Sequence, residues 1–414
     1  MERFQGLIGV VLILGIAFAA SNNRKKINYR LVLSGIALQL CIAILVLKVP
    51  PVTRFFQALG HVIEKIEQFA KQGAGFVYGG IVVNTPSGMN DYGKGGFVFA
   101  FSVTATIILV CVLVAIFYHF GVMQRIISVI AKAMNAVMRV SGAEALSNVA
   151  SAFVGQVEAQ VMIRPYLATM TKSELLASMS GSLACIAGGI LIVYTNMGAK
   201  AEYLLTASLM AAPAALVISK IVYPETEESN TMGKIKLEVK SEYSNIIDAI
   251  SHGAADGFKI AMNVIAMLIG FIGLIALLNF VLLKVSALAG LATPISLDYI
   301  FGKIFYPMAW AMGVPSADIQ FAATLMGQKL TINEFVAFTS LTSNTAPALS
   351  PKGLLIISIA ICGFANFSSV GMQIGGIGAI APSRRADLAS LGLRALLCGT
   401  LASYLSATLA GMLV

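Results

Sequence analysis

The feature that most constrains this chain is a succession of apolar runs, several approaching or exceeding the roughly 20 residues a helix needs to cross a bilayer. They begin at Leu7–Ala20 and Leu31–Val49 and recur as far as Ala386–Val414. Hydrocarbon offers no partner to backbone N–H and C=O groups, so segments that span it must satisfy those groups internally as helices. Composition points the same way: 58% of the 414 residues are hydrophobic and 11% are charged, whereas a soluble domain carries roughly 25% charged residues. The expected fold is an all-α integral membrane protein with about eight transmembrane helices. Interfacial helices and two opposed re-entrant hairpins in an inverted repeat complete that expectation.

Charge placement sets the expected topology. The first run is followed by SNNRKK rather than a small-residue cleavage site, so it reads as a retained span and not a removed signal peptide. Arg24, Lys25, Lys26 and Arg30 lie between spans one and two. A cytoplasmic position for that loop puts both termini outside. The net charge of +9 is scattered over loop ends, which suits a topology signal and not a nucleic-acid surface. The cysteines Cys41, Cys111, Cys185, Cys362 and Cys398 are isolated within apolar segments. None is paired at metal-ligand spacing, no disulfide is expected, and they read as small core residues. His61, His119 and His252 read as surface residues. Neither a Walker loop nor a GxSxG motif occurs, which argues against an ATP-driven pump, a serine hydrolase or a zinc hydrolase. No cofactor is implied.

Taken in order, Pro50-Pro51 ends span two, and Val52–Gln72 carries Phe55, Leu59, Val62, Ile66 and Phe69 at steps of three and four. That spacing suits a helix lying on the membrane surface. A Gly-rich loop runs to Gly96, and span three is Phe97–Tyr118. Met123–Val140 is amphipathic, and Ser141–Leu167 is too polar and broken to span simply. Leu175–Tyr194, interrupted at Gly188-Gly189, and Tyr203–Tyr223 are the fourth and fifth spans. Pro224–Glu242 reads as a solvated loop, and Ile246–Lys259 leads into span six, Ile260–Leu283. Tyr299–Gly313, with the single tryptophan Trp310, is interfacial; Val314–Ser350 is the second broken stretch. Span seven, Leu354–Ile380, is expected to be interrupted at Asn366 and at Gly375-Gly376, and Ser383–Arg385 is a basic cap before span eight.

The expected organisation is N-terminal scaffold spans over 1–120, a first transport half with its hairpin over 121–223, and a cytoplasmic linker over 224–245. A second half, with the second hairpin and scaffold spans, covers 246–414. Residues 121–200 and 299–380 repeat one pattern: surface helix, polar broken hairpin, interrupted helix. Inverted repeats whose discontinuous helices meet at mid-membrane mark secondary transporters.

Two stretches carry the chemistry. TINEFVA at 331–337 holds Asn333 and Glu334, and FVGQVEA at 153–159 holds Gln156 and Glu158. A carboxylate in apolar surroundings is costly, which makes it a functional-site hypothesis; a helix end at the interface would make it cheap. Carboxylates beside amides are good acceptors for hydroxyl and N–H donors, and they can titrate. Ala365, Asn366, Ser368 and Ser369 imply an unwound or cavity-lining stretch, or else helix–helix glue. Gly188-Gly189 admits either a break or close packing.

GQVEA at 155–159, RPYLATMTKSEL at 164–175, IAGGIL at 186–191, NEFVA at 333–337 and CGFANFSS at 362–369 strongly resemble the concentrative nucleoside transporter family. The similarity is closest to its bacterial branch through FYPMAWAMGVPS at 305–316. The resemblance implies eight spans, three interfacial helices, two re-entrant hairpins, a homotrimer and nucleoside uptake across the inner membrane. It assigns the nucleobase to Gln156, Glu158 and Ile190, and the ribose to Glu334, Asn366 and Ser369 with Phe364 nearby; Val157 and Asn333 adjoin these contacts. In the sodium-coupled pattern the ion meets the positions occupied here by Ser151, Val154, Val157, Cys185 and Ile186, and a proline stands where this chain has Gln160. Valine offers no side-chain oxygen, and cysteine is a poor ligand for a hard cation. The resemblance to the proton-coupled branch, which also carries serine at the Ser151 position, favours protons. Glu334 is the leading residue to titrate and Glu158 the second; sodium held by the backbone carbonyls of Val154 and Ile186 is the alternative. Expected partners are a nucleoside, H+ or Na+, and the bilayer, with no nucleic acid. A carboxylate-pair hydrolase and a passive channel are the competing classes. Turnover without a gradient would mark the first, and uptake that never exceeds the external concentration the second.

Overall fold

The computed structural model describes residues 2–78, 99–231, 243–290 and 294–414. Every regular element among these residues is helical. Residues 79–96 of the expected Gly-rich loop and residues 232–242 of the linker lie outside them, while residues 73–78 of that loop continue the helix before it.

Helix α1 (Glu2–Ala19) and α2 (Tyr29–Lys48) are the first two apolar passages. The Asn28 side chain starts α2 by accepting from the Leu31 amide at 3.2 Å, which satisfies one of the orphan donors of a helix N-terminus. Pro50 then opens α3 (Pro50–Tyr78), a 29-residue helix. Phe55, Val62 and Phe69 are exposed along it, as a helix lying on a membrane surface requires. Span three is α4 (Phe99–His119), and the chain bends by 76° into the amphipathic α5 (Val122–Met138). The turn rests on Gly121, whose φ of +72° is cheap only for glycine.

The first hairpin is α6 (Gly142–Ser151), with the single turns α7 (Glu158–Val161) and α8 (Arg164–Leu167). Helix α9 (Lys172–Ala184) is separated by three extended residues from α10 (Gly188–Asn196), and α11 (Ala201–Val222) follows. Both α6 and α9 begin with a capping box, Ser141 with Glu144 and Thr171 with Glu174, the local reason these helices start where they do. Helix α12 (Ile246–Leu288) is continuous over 43 residues and packs along α4.

The second half repeats the order. The stretch expected as one interfacial segment is two helices, α13 (Leu297–Ile304) and α14 (Tyr306–Ala311), because Pro307 suits a new first turn better than the inside of a longer helix. Its hairpin is α15 (Ile319–Thr331) and α16 (Glu334–Leu341). The broken span is α17 (Pro351–Ile361) and α18 (Phe367–Ile380), and α19 (Arg385–Gly411) completes the repeat. Helix α19 packs against α11, α9, α17 and α18, at the centre of the molecule.

Three expectations are corrected. The chain does not break at Gly375-Gly376; α18 runs through, and Gly376 instead leaves room for the Val157 side chain, which a Cβ would meet at 2.8 Å. The linker is not wholly a solvated loop at its start. Lys220 is buried in an ion pair with Glu144 (2.7 Å) and reaches Glu225 (3.3 Å). Ser229 donates to Glu174, and the Gly142 amide donates to the Thr231 carbonyl at 2.9 Å. The base of the first hairpin thus holds residues 225–231 through the same acids that cap α6 and α9. Finally, Cys41 is exposed, not in the core; all five cysteines are free.

Candidate functional site

The two helix breaks meet. Phe364 donates its amide to the Cys185 carbonyl at 3.2 Å, and the Gly188 amide reaches the Phe153 carbonyl at 3.2 Å. Gly363 makes the crossing possible. Its φ is +140°, and a Cβ there would stand 2.5 Å from the Ala184 carbonyl oxygen. The Phe364–Cys185 bond joins backbone freed by the two interruptions across the halves, and Gly188 is satisfied by the first hairpin of its own half, which is how irregular backbone is tolerated at membrane depth.

Glu334 sits beside this crossing as the first residue of α16, directly after the break at Ile332–Asn333. The Asn333 side chain caps α16 by accepting from the Val336 amide at 2.9 Å. The Glu334 carboxyl is buried and takes two donors on separate oxygens. Tyr194 Oη donates to Oε1 at 2.9 Å, and Asn366 Nδ2 donates to Oε2 at 2.9 Å. Asn366 is held in that pose because its Oδ1 accepts from the Ser369 amide at 2.8 Å, capping α18. Tyr194 is fixed by stacking on Phe338 (centroids 4.3 Å apart) and meeting Phe335 edge-on (5.6 Å). A carboxylate offers about four acceptor positions; two remain for hydroxyl or N–H donors of a ligand.

The first hairpin brings its own residues to the same region. Gln156 is buried with its Nε2 3.9 Å from Met372 Sδ on α18, while its Oε1 has no hydrogen-bond partner. A buried amide oxygen without a donor is uncommon enough to need an explanation, and a ligand N–H would supply one. Glu158 lies apart from Glu334, on a cavity of about 460 Å³. One wall holds Phe153, Val154, Glu158 and Ile190; α4 and α12 form the other. Glu334, Asn366, Ser369 and the half-buried Phe364 do not line that cavity. The volume falls within the roughly 300–1,000 Å³ of small-molecule sites.

The side chains of Ser151, Val157 and Cys185, three of the positions tied to a cation, meet other partners. Ser151 Oγ donates to the Ser147 carbonyl at 2.7 Å and lies 2.9 Å from Ser182 Oγ. Gln160 Nε2 donates to Ser182 Oγ at 2.8 Å and its Oε1 accepts from Ser178 at 2.6 Å. Cys185 Sγ points to the Asn148 carbonyl at 4.0 Å, and Val157 is turned onto Gly376.

Two residues of the cluster escape a reading of the sequence. Tyr194 looks like an aromatic within an apolar run, and only the fold gives its hydroxyl a carboxylate. Lys329, fully buried on α15, has the signal that flagged Glu334, an ionisable group between two apolar passages. Arg384, expected as a surface cap, donates to the Leu167, Ala168 and Met170 carbonyls (3.3, 3.2 and 2.6 Å) and closes the end of the first hairpin.

Paired broken helices around buried polar groups, enclosed by apolar helices, are the arrangement of membrane transporters built on inverted repeats. Residues 203–411 match the family described as Na+ dependent nucleoside transporter C-terminus, residues 8–81 its N-terminal counterpart, and residues 100–201 the pattern described as nucleoside recognition. The chain is 36% identical over 412 residues to the nucleoside permease NupC of Helicobacter pylori, covering 99% of this chain and 97% of that one. It is 35% identical over 428 residues to sodium/nucleoside cotransporter 2 of Rattus norvegicus, covering 100% of this chain and 63% of the rat protein. The structure of CNTnw in an inward-facing substrate-bound state superposes with a TM-score of 0.92 at 38% identity, covering 100% of this chain and 98% of that one. The chain belongs to the concentrative nucleoside transporter family.

Proposed function

We propose that this protein is a secondary active symporter that imports nucleosides across the inner membrane, coupled to protons. The observation that carries the reading is the buried Glu334, held by Tyr194 and Asn366 with acceptor positions left over. A ribose presents hydroxyl donors to Glu334, with Asn366, Ser369 and Phe364 around it. The base presents N–H and carbonyl edges to Gln156 and Glu158, with Ile190 beneath it. Val157, spent on Gly376, contributes shape and no hydrogen bond.

Protons are favoured over sodium because Ser151, Ser182, Gln160 and Ser178 bond to one another, and because Val157 and Cys185 offer no hard oxygen. Glu334 and Glu158 are the carboxylates able to carry the proton. Sodium remains the second reading, supported by the Na+ dependent description of the matching family and by the backbone carbonyls of Val154 and Ile186. The division at 1–120, 121–223, 224–245 and 246–414 then separates scaffold from moving halves. The family resemblance supports a homotrimer, and the basic loop of Arg24, Lys25, Lys26 and Arg30 supports periplasmic termini.

Uptake of a nucleoside panel into proteoliposomes, driven separately by proton and sodium gradients, tests both parts. The expected result is accumulation above the external concentration with a proton gradient alone. Sodium dependence without a pH response would overturn the coupling, and uptake that only equilibrates would overturn active transport.

A further inference from the structure

Lys329 is 0% exposed, and its Nζ makes no hydrogen bond. An ammonium stripped of water and left without an acceptor is among the most costly groups a protein can bury, and a nearby opposite charge is what makes it tolerable. The groups around it are few. Lys329 lies in the last turn of α15, and Glu334 opens α16 across the break at Ile332–Asn333, so the carboxylate follows the lysine by five residues in the same hairpin. The Tyr404 ring of α19 lies 6.0 Å from Nζ, a cation–π distance. Among the other helices packed on α15, α13 brings Asp298, which accepts from Gln328 at 2.9 Å, and Lys303, which is exposed. Helix α17 brings Lys352 at its first turn, and α14 brings no charged group. Asp298 is engaged by Gln328, and Asp318 at the start of α15 is engaged by Ser350, which leaves Glu334 as the carboxylate next to Lys329 in this hairpin.

We propose that Lys329 is the built-in counter-cation of Glu334: its charge keeps the carboxylate ionised in the substrate-free site while leaving the two remaining acceptor positions open. A lysine bonded directly to Glu334 would occupy an acceptor position and compete with the ligand. A buried carboxylate with no counter-charge would take up a proton and lose acceptor capacity. A cation close by but not hydrogen-bonded avoids both outcomes, because Coulomb attraction in a low-dielectric interior reaches beyond bonding distance. The empty site is then electrically neutral and can cross the membrane without a bound ion. Lys329 is a positioning residue, acting through Glu334. The inference rests on Glu334 as a substrate ligand, and of the two carboxylates able to carry the coupling proton it leaves that role to Glu158.

The test is an infrared difference spectrum of the substrate-free protein at pH 7, wild type against Glu334→Gln, together with uridine binding by calorimetry. An ionised carboxylate band is expected for Glu334 in the wild type. In Lys329→Met that band gives way to a carboxylic acid band, and uridine binding weakens about ten-fold or more, the loss of one charge-assisted hydrogen bond. Lys329→Arg retains the carboxylate band and most of the affinity. A carboxylic acid at Glu334 in the wild type overturns the proposal, and that reading needs no Lys329 variant to fold. Carboxylate signal and affinity unchanged in Lys329→Met overturn it as well. Wild-type uridine affinity in Glu334→Gln would instead sink the underlying assignment of Glu334 as a ligand.

Discussion

Glu334 concentrates the chemistry because two distant segments supply donors to its carboxyl: Tyr194 from α10 and Asn366 from the second break. Removing the Tyr194 hydroxyl leaves the aromatic packing on Phe338 in place and deletes one hydrogen bond to a charged group. Such bonds contribute about 1.5–3 kcal/mol. Tyr194→Phe is therefore expected to weaken uridine binding by about ten- to a hundred-fold, measured by calorimetry on the detergent-purified protein. An affinity within about two-fold of wild type would show that the hydroxyl plays no part in holding the carboxylate. At this scale Glu334 and Asn366 were legible in the sequence, because charged and amide side chains inside apolar stretches have no cheap reason to be there. Tyr194 was not, since a tyrosine in such a run is also an ordinary core residue.

The helices place these side chains through their interruptions. The breaks at 185–187 and 362–366 cross backbone to backbone, and Gly363 stands where a side chain would strike the Ala184 carbonyl. Gly363→Ala combines that clash with an unfavourable φ and is expected to cost about 1–3 kcal/mol. A clear drop in the thermal unfolding midpoint of the purified protein would register this. Gly371→Ala, an exposed helical position with open space around it, serves as the control and is expected to be neutral or slightly stabilising. Equal midpoints for the two variants would remove the argument for a tight crossing. The break near Asn366 could be read from its small and polar neighbours. Gly375-Gly376 carries a similar local signal yet stays helical, because its small residues serve close approach by Val157. Glycine pairs permit both outcomes, and only the neighbour across the gap decides between them.

Across the whole molecule, the cavity separates the α4–α12 pair from the wall formed by the first hairpin and α10. A site between two bodies gains access to either side of a membrane by relative movement of those bodies. Val114 lies on the α4 wall of the cavity that Glu158 and Ile190 also line. Val114→Trp is expected to fill part of the 460 Å³ and to lower uptake more than about ten-fold, with the unfolding midpoint within a few degrees of wild type. Undiminished uptake would place the ligand path elsewhere. The sequence by itself determined that this chain is a helical membrane protein, where most passages lie, and which carboxylates and amides merit attention. Hydropathy, capping residues and the cost of buried charge are local properties, readable along the chain. Tertiary structure alone decided that the two breaks touch, that Tyr194 and Asn366 converge on Glu334, and that Glu158 lines a cavity that Glu334 does not. Those facts depend on distances between segments far apart in sequence, which local pattern does not encode.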